Sequence, residues 1–173
     1  MNFSVATAIH TDAPAIASLR TCVAEHLTRR QGKGHWSSCV TEGSVLNDIK
    51  TSRVLAVWND NRLVATLGLA TKKPWAIDPK YFQSVPRALY LRNMAVAPYL
   101  QGRGIGRYLL EEAKKAAKDW PSNAIRLDAY DAEAGAGDFY SKCGFREVGR
   151  VTYRSTPLVY YEFLLDLPAA TLK

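Results

Sequence analysis

The sequence predicts a mixed α/β fold, organised as a single domain over residues 1–173. Three observations lead there. Short runs of aliphatic and β-branched residues alternate with helical segments through the second half of the chain. One of those strands, near Arg87 to Ala97, passes through a glycine-rich turn into the most amphipathic helix of the sequence. A chain of 173 residues, 47% hydrophobic and 23% charged, is large enough for one buried core and has the composition of a globular protein.

Taken in order, Phe3 to Ile9 alternates as a first strand. Thr11 and Asp12 are cap candidates for a helix from Ala13 to Arg30, with Ile16, Leu19, Val23 and Leu27 at helical spacing. Gln31 to Gly34 breaks it, and a shorter helix includes Val45 to Lys50. Arg53 to Trp58 and Leu63 to Ala70 read as a hairpin about Asn59-Asp60-Asn61. Thr71 to Pro86 is a long loop studded with Trp75, Tyr81 and Phe82. It either covers a site or closes the edge of the core. In the helix Ile105 to Trp120, Ile105, Leu109, Leu110, Ala113, Ala116 and Ala117 share one face, and Arg107, Glu111, Lys114, Lys115 and Lys118 lie elsewhere. Ala124 to Ala129 is a buried-type strand, followed by a short helix from Glu133 to Cys143 that Gly144 can end as a left-handed cap. Two strands follow, near Arg146 to Tyr153 and Leu158 to Leu165.

The formal charge of +7 suits an anionic ligand but does not choose one. The basic residues are scattered, so a nucleic-acid surface is not expected. No apolar run approaches the roughly 18 residues of a membrane span. Met1 to Arg20 lacks a secretory pattern, and Cys22, Cys39 and Cys143 form no Cys-x-x-Cys pair. A cytoplasmic protein without a metal site is therefore expected, and His10, His26 and His35 have no ligand spacing either.

The segment with most chemical content is Met94 to Arg107. A glycine turn opening a helix gathers backbone N–H groups near the positive end of the helix dipole, which favours a phosphate. Arg103 and Arg107 add charge beside it. Gly102, Gly104 and Gly106 give Gly-x-Gly-x-Gly, which fits neither the Walker loop nor the dinucleotide fingerprint.

This segment resembles the coenzyme A motif of the GNAT superfamily of N-acetyltransferases, Gln/Arg-x-x-Gly-x-Gly/Ala, through Gln101, Gly104 and Gly106. Ala136 to Phe145 resembles a second family segment, Ala-x-x-Phe/Leu-Tyr-x-x-x-Gly-Phe. The resemblance implies a central, mostly antiparallel sheet flanked by helices. It also implies transfer of an acetyl group from acetyl-coenzyme A to an amine, by direct attack and without a covalent enzyme intermediate. On it, the backbone of Met94, Ala95 and Val96 holds the pantetheine arm. The amides of Gln101, Gly102, Arg103, Gly104, Ile105, Gly106 and Arg107 cradle the pyrophosphate, and Tyr140 is the general acid.

Chemistry supports that last role, since a phenol with a pKa near 10 is protonated at neutral pH and can donate to a departing thiolate. Tyr140 lies at helical spacing from Ala136 and Cys143, so plain core packing is its alternative, as it is for Cys143. Two positions depart from the family. Glu133 stands where many members have Asn, and Arg92 where many have Glu. The general base is thus open among Asp128, Asp131 and Glu133. The acceptor, a small-molecule or peptide amine, is expected beside the loops Thr71 to Pro86 and Gln31 to Val40, with homodimerisation left open. A non-catalytic acyl-coenzyme A sensor is the rival reading.

Overall fold

The computed structural model describes residues 2–165, so the expected domain range of 1–173 extends past it at both ends. Two compact units divide these residues, the first formed by 2–70 and 92–112, the second by 71–91 and 113–165.

The first unit contains β1 (Phe3–Thr7), α1 (Ala13–Gln31), α2 (Glu42–Thr51), β2 (Arg53–Asn59) and β3 (Arg62–Ala70). It also holds the second half of β4 (Ala88–Val96) and the start of α3 (Ile105–Asp119). β1 ends two residues early because Asp12 turns back and accepts from the Ile9 amide at 2.8 Å. That carboxylate therefore stabilises the 3-10 turn ahead of α1 rather than capping α1 itself. α2 includes the expected Val45 to Lys50 and begins at a Thr41 cap whose hydroxyl accepts from the Ser44 amide at 3.2 Å. Asp60 turns the β2–β3 hairpin in the left-handed region, φ 53°. Ile16 and Leu19 of α1, Val45 of α2 and the inward residues of β2 and β3 are buried together, which fixes both helices against the sheet.

The second unit contains the first half of β4, β5 (Ala124–Tyr130), α4 (Gly137–Lys142), β6 (Arg146–Tyr153) and β7 (Thr156–Leu164). β4 pairs with β5 in parallel through Ala88–Tyr90, and β7 is antiparallel to both β5 and β6. Arg154 and Ser155, with φ of 47° and 66°, make the tight turn joining β6 to β7. The strand order β1-β2-β3-β4-β5-β7-β6 makes a seven-stranded, mostly antiparallel sheet flanked by helices, the fold class that the sequence predicts.

Two expectations for this unit are corrected. α4 starts at Gly137 rather than Glu133, because residues 131–136 make turns around Gly135, whose amide donates to the Ala132 carbonyl. Lys114, placed off the apolar face of α3 by the helical spacing, is buried. Its ammonium donates to the Cys143 carbonyl at 2.9 Å and lies 4.2 Å from the centre of the Phe163 ring.

The loop 71–87 is fastened to the sheet. Ile77 and Phe82 are buried with Tyr90 and Tyr160, and the Tyr160 hydroxyl donates to the Ala76 carbonyl. Arg126 pairs with fully buried Glu162 at 3.0 Å, donates to the Gln83 carbonyl and stacks on Phe82. Removing one partner would strand a buried charge at a cost of about 3–5 kcal/mol. Part of the loop thus closes the core, as one of its two readings expects, while Trp75 remains 84% exposed.

Candidate active site

In the first unit, β4 carries a kink. Asn93 sits at φ 54°, within a strand whose other residues are extended, and Met94, Ala95 and Val96 follow it. Asn tolerates this left-handed conformation better than a β-branched residue does. The Ala97 amide then donates to the Val64 carbonyl at 2.8 Å, and Pro98 opens a 3-10 turn through Leu100. The Gln101 side chain donates from Nε2 to the Val96 carbonyl at 3.1 Å, so the motif glutamine ties the end of β4 to the turn.

Gly102 and Gly104 occupy φ of 75° and 86°, where any side chain is strained. A Cβ at either position would meet no protein atom within 4 Å, so no internal packing calls for glycine there. The first α-helical hydrogen bond of α3 runs from the Tyr108 amide to the Gly104 carbonyl at 2.9 Å. The amides of Ile105, Gly106 and Arg107 precede it, in the first turn of the helix where N–H groups gather at the positive end of the dipole. Gln101 to Gly104 is exposed, as is Arg107, and Ile105 is buried as the anchor of the turn. An exposed anion-binding geometry results, built by contiguous residues.

In the second unit, Tyr140 is buried in α4 among the rings of Phe139, Phe145 and Tyr161, at centroid distances of 5.3 to 6.0 Å. Gly144, at φ 86°, ends the helix as expected. Its amide donates to the Ser141 carbonyl and that of Phe145 to the Tyr140 carbonyl, the double bond of a Schellman cap. Burial, then the neighbouring Asp128 carboxylate, pushes the Tyr140 phenol well above its usual pKa and holds it protonated. Cys143, also buried, packs one turn away.

Of the three carboxylates open as bases, Asp131 is engaged by Arg150 at 2.8 Å, and Glu133 lies exposed in the turn before α4. Asp128 is partly buried on β5 opposite Tyr160 of β7, and burial raises its pKa. It is the one that interacts electrostatically with Tyr140.

A cleft of about 400 Å³ opens in the same unit between the loop 71–87 and the β6–β7 hairpin. Trp75, Tyr81, Tyr153 and Tyr160 supply its rings, and Asp78 is its carboxylate. Tyr81 meets Tyr160 edge to face at 5.4 Å and lies over Gly149, where a Cβ would come within 2.2 Å of the ring. Lys73, also on the cleft, is held by the Pro74 and Ile77 carbonyls. Trp36 of the other expected loop, in the first unit, is half-buried, and its indole donates to the Gly32 carbonyl at 3.0 Å.

Sequence reasoning overlooked Asp48, which collects Arg20, Arg92 and Asn93, and the Tyr153 and Asp78 walls of the cleft. The one available signal was Arg92 itself, a charge on a strand that calls for a partner.

The model of the GNAT acetyltransferase domain matches residues 50–147, more than half of the chain. The chain belongs to the GNAT acetyltransferase family. The matched segment contains β4, the glycine turn, Asp128 and Tyr140. Solved structures agree on the fold. The ribosomal-protein-S18-alanine N-acetyltransferase of Escherichia coli is similar at 17% identity and a TM-score of 0.72, over 99% of both chains. The protein yncA from Salmonella typhimurium, solved with its cofactor acetyl-CoA, gives 17% and 0.71 over 98% of both chains. The PaiA N-acetyltransferase of Thermoplasma acidophilum, in complex with coenzyme A, gives 16% and 0.73 over 94% of this chain and all of the other. A sequence search against curated proteins finds no match. Among the described residues, no helix is long and apolar enough to cross a membrane, and no three His, Cys, Asp or Glu side chains are grouped to hold a metal.

Proposed function

We propose that this protein is a cytoplasmic N-acetyltransferase of one catalytic domain, which moves an acetyl group from acetyl-coenzyme A to an amine of a small molecule or peptide. The observation that carries this reading is the turn from Gln101 to Arg107, with left-handed glycines and the first amides of α3 in the family-matched segment. Those amides hold the pyrophosphate, with Arg103 and Arg107 adding charge, and the backbone of Met94, Ala95 and Val96 holds the pantetheine arm.

In the reaction the amine nitrogen bonds to the thioester carbonyl carbon and the carbon–sulfur bond breaks. Tyr140 gives its phenolic proton to the departing sulfur, and the surplus proton of the amine passes to Asp128. The raised pKa of Asp128 makes its carboxylate a stronger base, and the raised pKa of Tyr140 keeps the phenolic proton in place for transfer at working pH. A base must be deprotonated to act, so kcat should fall with decreasing pH through the raised Asp128 pKa. In Asp128→Asn that acid limb should disappear along with most of the rate. A parent-like limb in the variant would place the base elsewhere.

The deciding experiment is thiol release from acetyl-coenzyme A over a panel of amines. Release that depends on one amine class supports the enzyme. Tight coenzyme A binding without release from any amine supports the sensor.

The aromatic cleft is the acceptor's side of this reading, and Trp75 carries an expected result. Trp75→Ala and Tyr81→Ala should raise the acceptor's KM by about tenfold while moving that of acetyl-coenzyme A by less than about twofold, the pattern of lost substrate binding. Equal changes in both constants would remove the cleft from the site.

A further inference from the structure

Asp48 of α2 is a heavily engaged carboxylate in the first unit. Its Oδ2 accepts from Arg20 Nη1 at 2.6 Å and from Asn93 Nδ2 at 2.8 Å, and its Oδ1 accepts from Arg92 Nη2 at 3.2 Å. Arg20 is 7% exposed and the Asp48 side chain 13%. Thr51, one helical turn on, takes a second bond from the Arg92 guanidinium at 3.2 Å. The charge is therefore committed to two guanidiniums, and a carboxylate so engaged is poorly placed to act as a base.

Its partners on β4 are informative. Asn93 is the left-handed residue of the strand, and Arg92 precedes it. A non-glycine residue in that region persists only where its surroundings hold it. Both side chains of the kink end on one carboxylate, and the next three residues are Met94, Ala95 and Val96.

We infer that Asp48 is a positioning residue for coenzyme A. It holds the kink at Asn93 and so sets the direction in which the backbone of Met94–Val96 meets the pantetheine arm. The inference rests on the acetyltransferase reading and adds a residue to it from α2.

The test compares two probes by calorimetry, coenzyme A and adenosine 3′,5′-bisphosphate, the latter lacking the pantetheine arm. Asn93→Ala keeps the ion pairs of Asp48 but removes the tether. It should weaken coenzyme A by about tenfold, the scale of one hydrogen bond to a charged group. The bisphosphate should change by less than about twofold, because the loss is confined to the arm. Asn93→Gly should lose less than Asn93→Ala, since glycine adopts a positive φ without strain although it too lacks the tether, and a glycine variant weaker than the alanine one would count against the kink. Asp48→Asn should repeat the alanine result. If that variant does not fold, with two guanidiniums left uncompensated, Asn93→Ala decides. Unchanged coenzyme A affinity in folded Asn93→Ala, or equal losses of both probes, overturns the inference. Binding of coenzyme A by the parent tests the acetyltransferase reading separately, and without it both fall.

Discussion

Gly104→Asp is expected to remove most coenzyme A binding while leaving the protein folded. Nothing within 4 Å would touch a Cβ at this position, so the substitution meets no steric obstacle from the protein. The left-handed φ of 86° adds a conformational cost of about 1 kcal/mol. The larger effect is electrostatic. A carboxylate about 4 Å from a phosphate charge, at an effective dielectric near 20, is opposed by about 4 kcal/mol. Salt screening at an exposed turn reduces this, and a loss on the order of a hundredfold in affinity remains. Gly104→Ala separates the two contributions, since it carries the backbone cost without the charge. The alanine variant should lose much less than the aspartate variant, and the gap between them should narrow as ionic strength rises. Calorimetric titration of both folded variants at two salt concentrations checks this. Equal affinities in parent and Gly104→Asp would place the pyrophosphate elsewhere.

What the sequence reveals of this site follows from how far apart its parts lie along the chain. The turn from Gln101 to Arg107 is contiguous, so glycine spacing and the strength of α3 were enough to locate it. The same holds for the Schellman cap at Gly144, whose bonds span Tyr140 to Phe145. Asp48 was invisible for the opposite reason. Its partners lie 28, 44 and 45 residues away on other elements, and α2 gives no local hint that Asp48 faces them. Lys114 misled because helical periodicity assigns a face to the Cα, whereas a long side chain can carry its ammonium to a distant carbonyl. The choice among Asp128, Asp131 and Glu133 narrows only when Arg150 is seen to occupy Asp131. β1 stopped short because Asp12 had a better use for its carboxylate than the helix that follows.

Tyr140→Phe is expected to lower turnover by on the order of a hundredfold or more, the scale of a general acid. Phenylalanine keeps the ring and its contacts with Phe139, Phe145 and Tyr161, so the substitution removes little besides the hydroxyl. Were Tyr140 only a packing residue, the variant would lose about 1 kcal/mol of stability at most and retain its rate. Burial allows both roles, which makes the direction of the pKa shift useful. Desolvation and the Asp128 carboxylate both oppose ionisation, so the phenol stays protonated beyond the range in which an exposed tyrosine titrates. The proton is therefore present throughout the working pH range, and the parent should show no alkaline fall in kcat from loss of this acid near pH 10. Coenzyme A affinity should change far less than kcat, because the donated proton matters mainly as the carbon–sulfur bond breaks. An acyl donor with a more acidic thiol needs less help in leaving, so the variant's deficit should shrink with such a donor. Steady-state rates with both donors, beside the coenzyme A dissociation constant, make the measurement. A Phe variant that turns over like the parent with both would show that the thiolate leaves without Tyr140, taking its proton from water or from the acceptor.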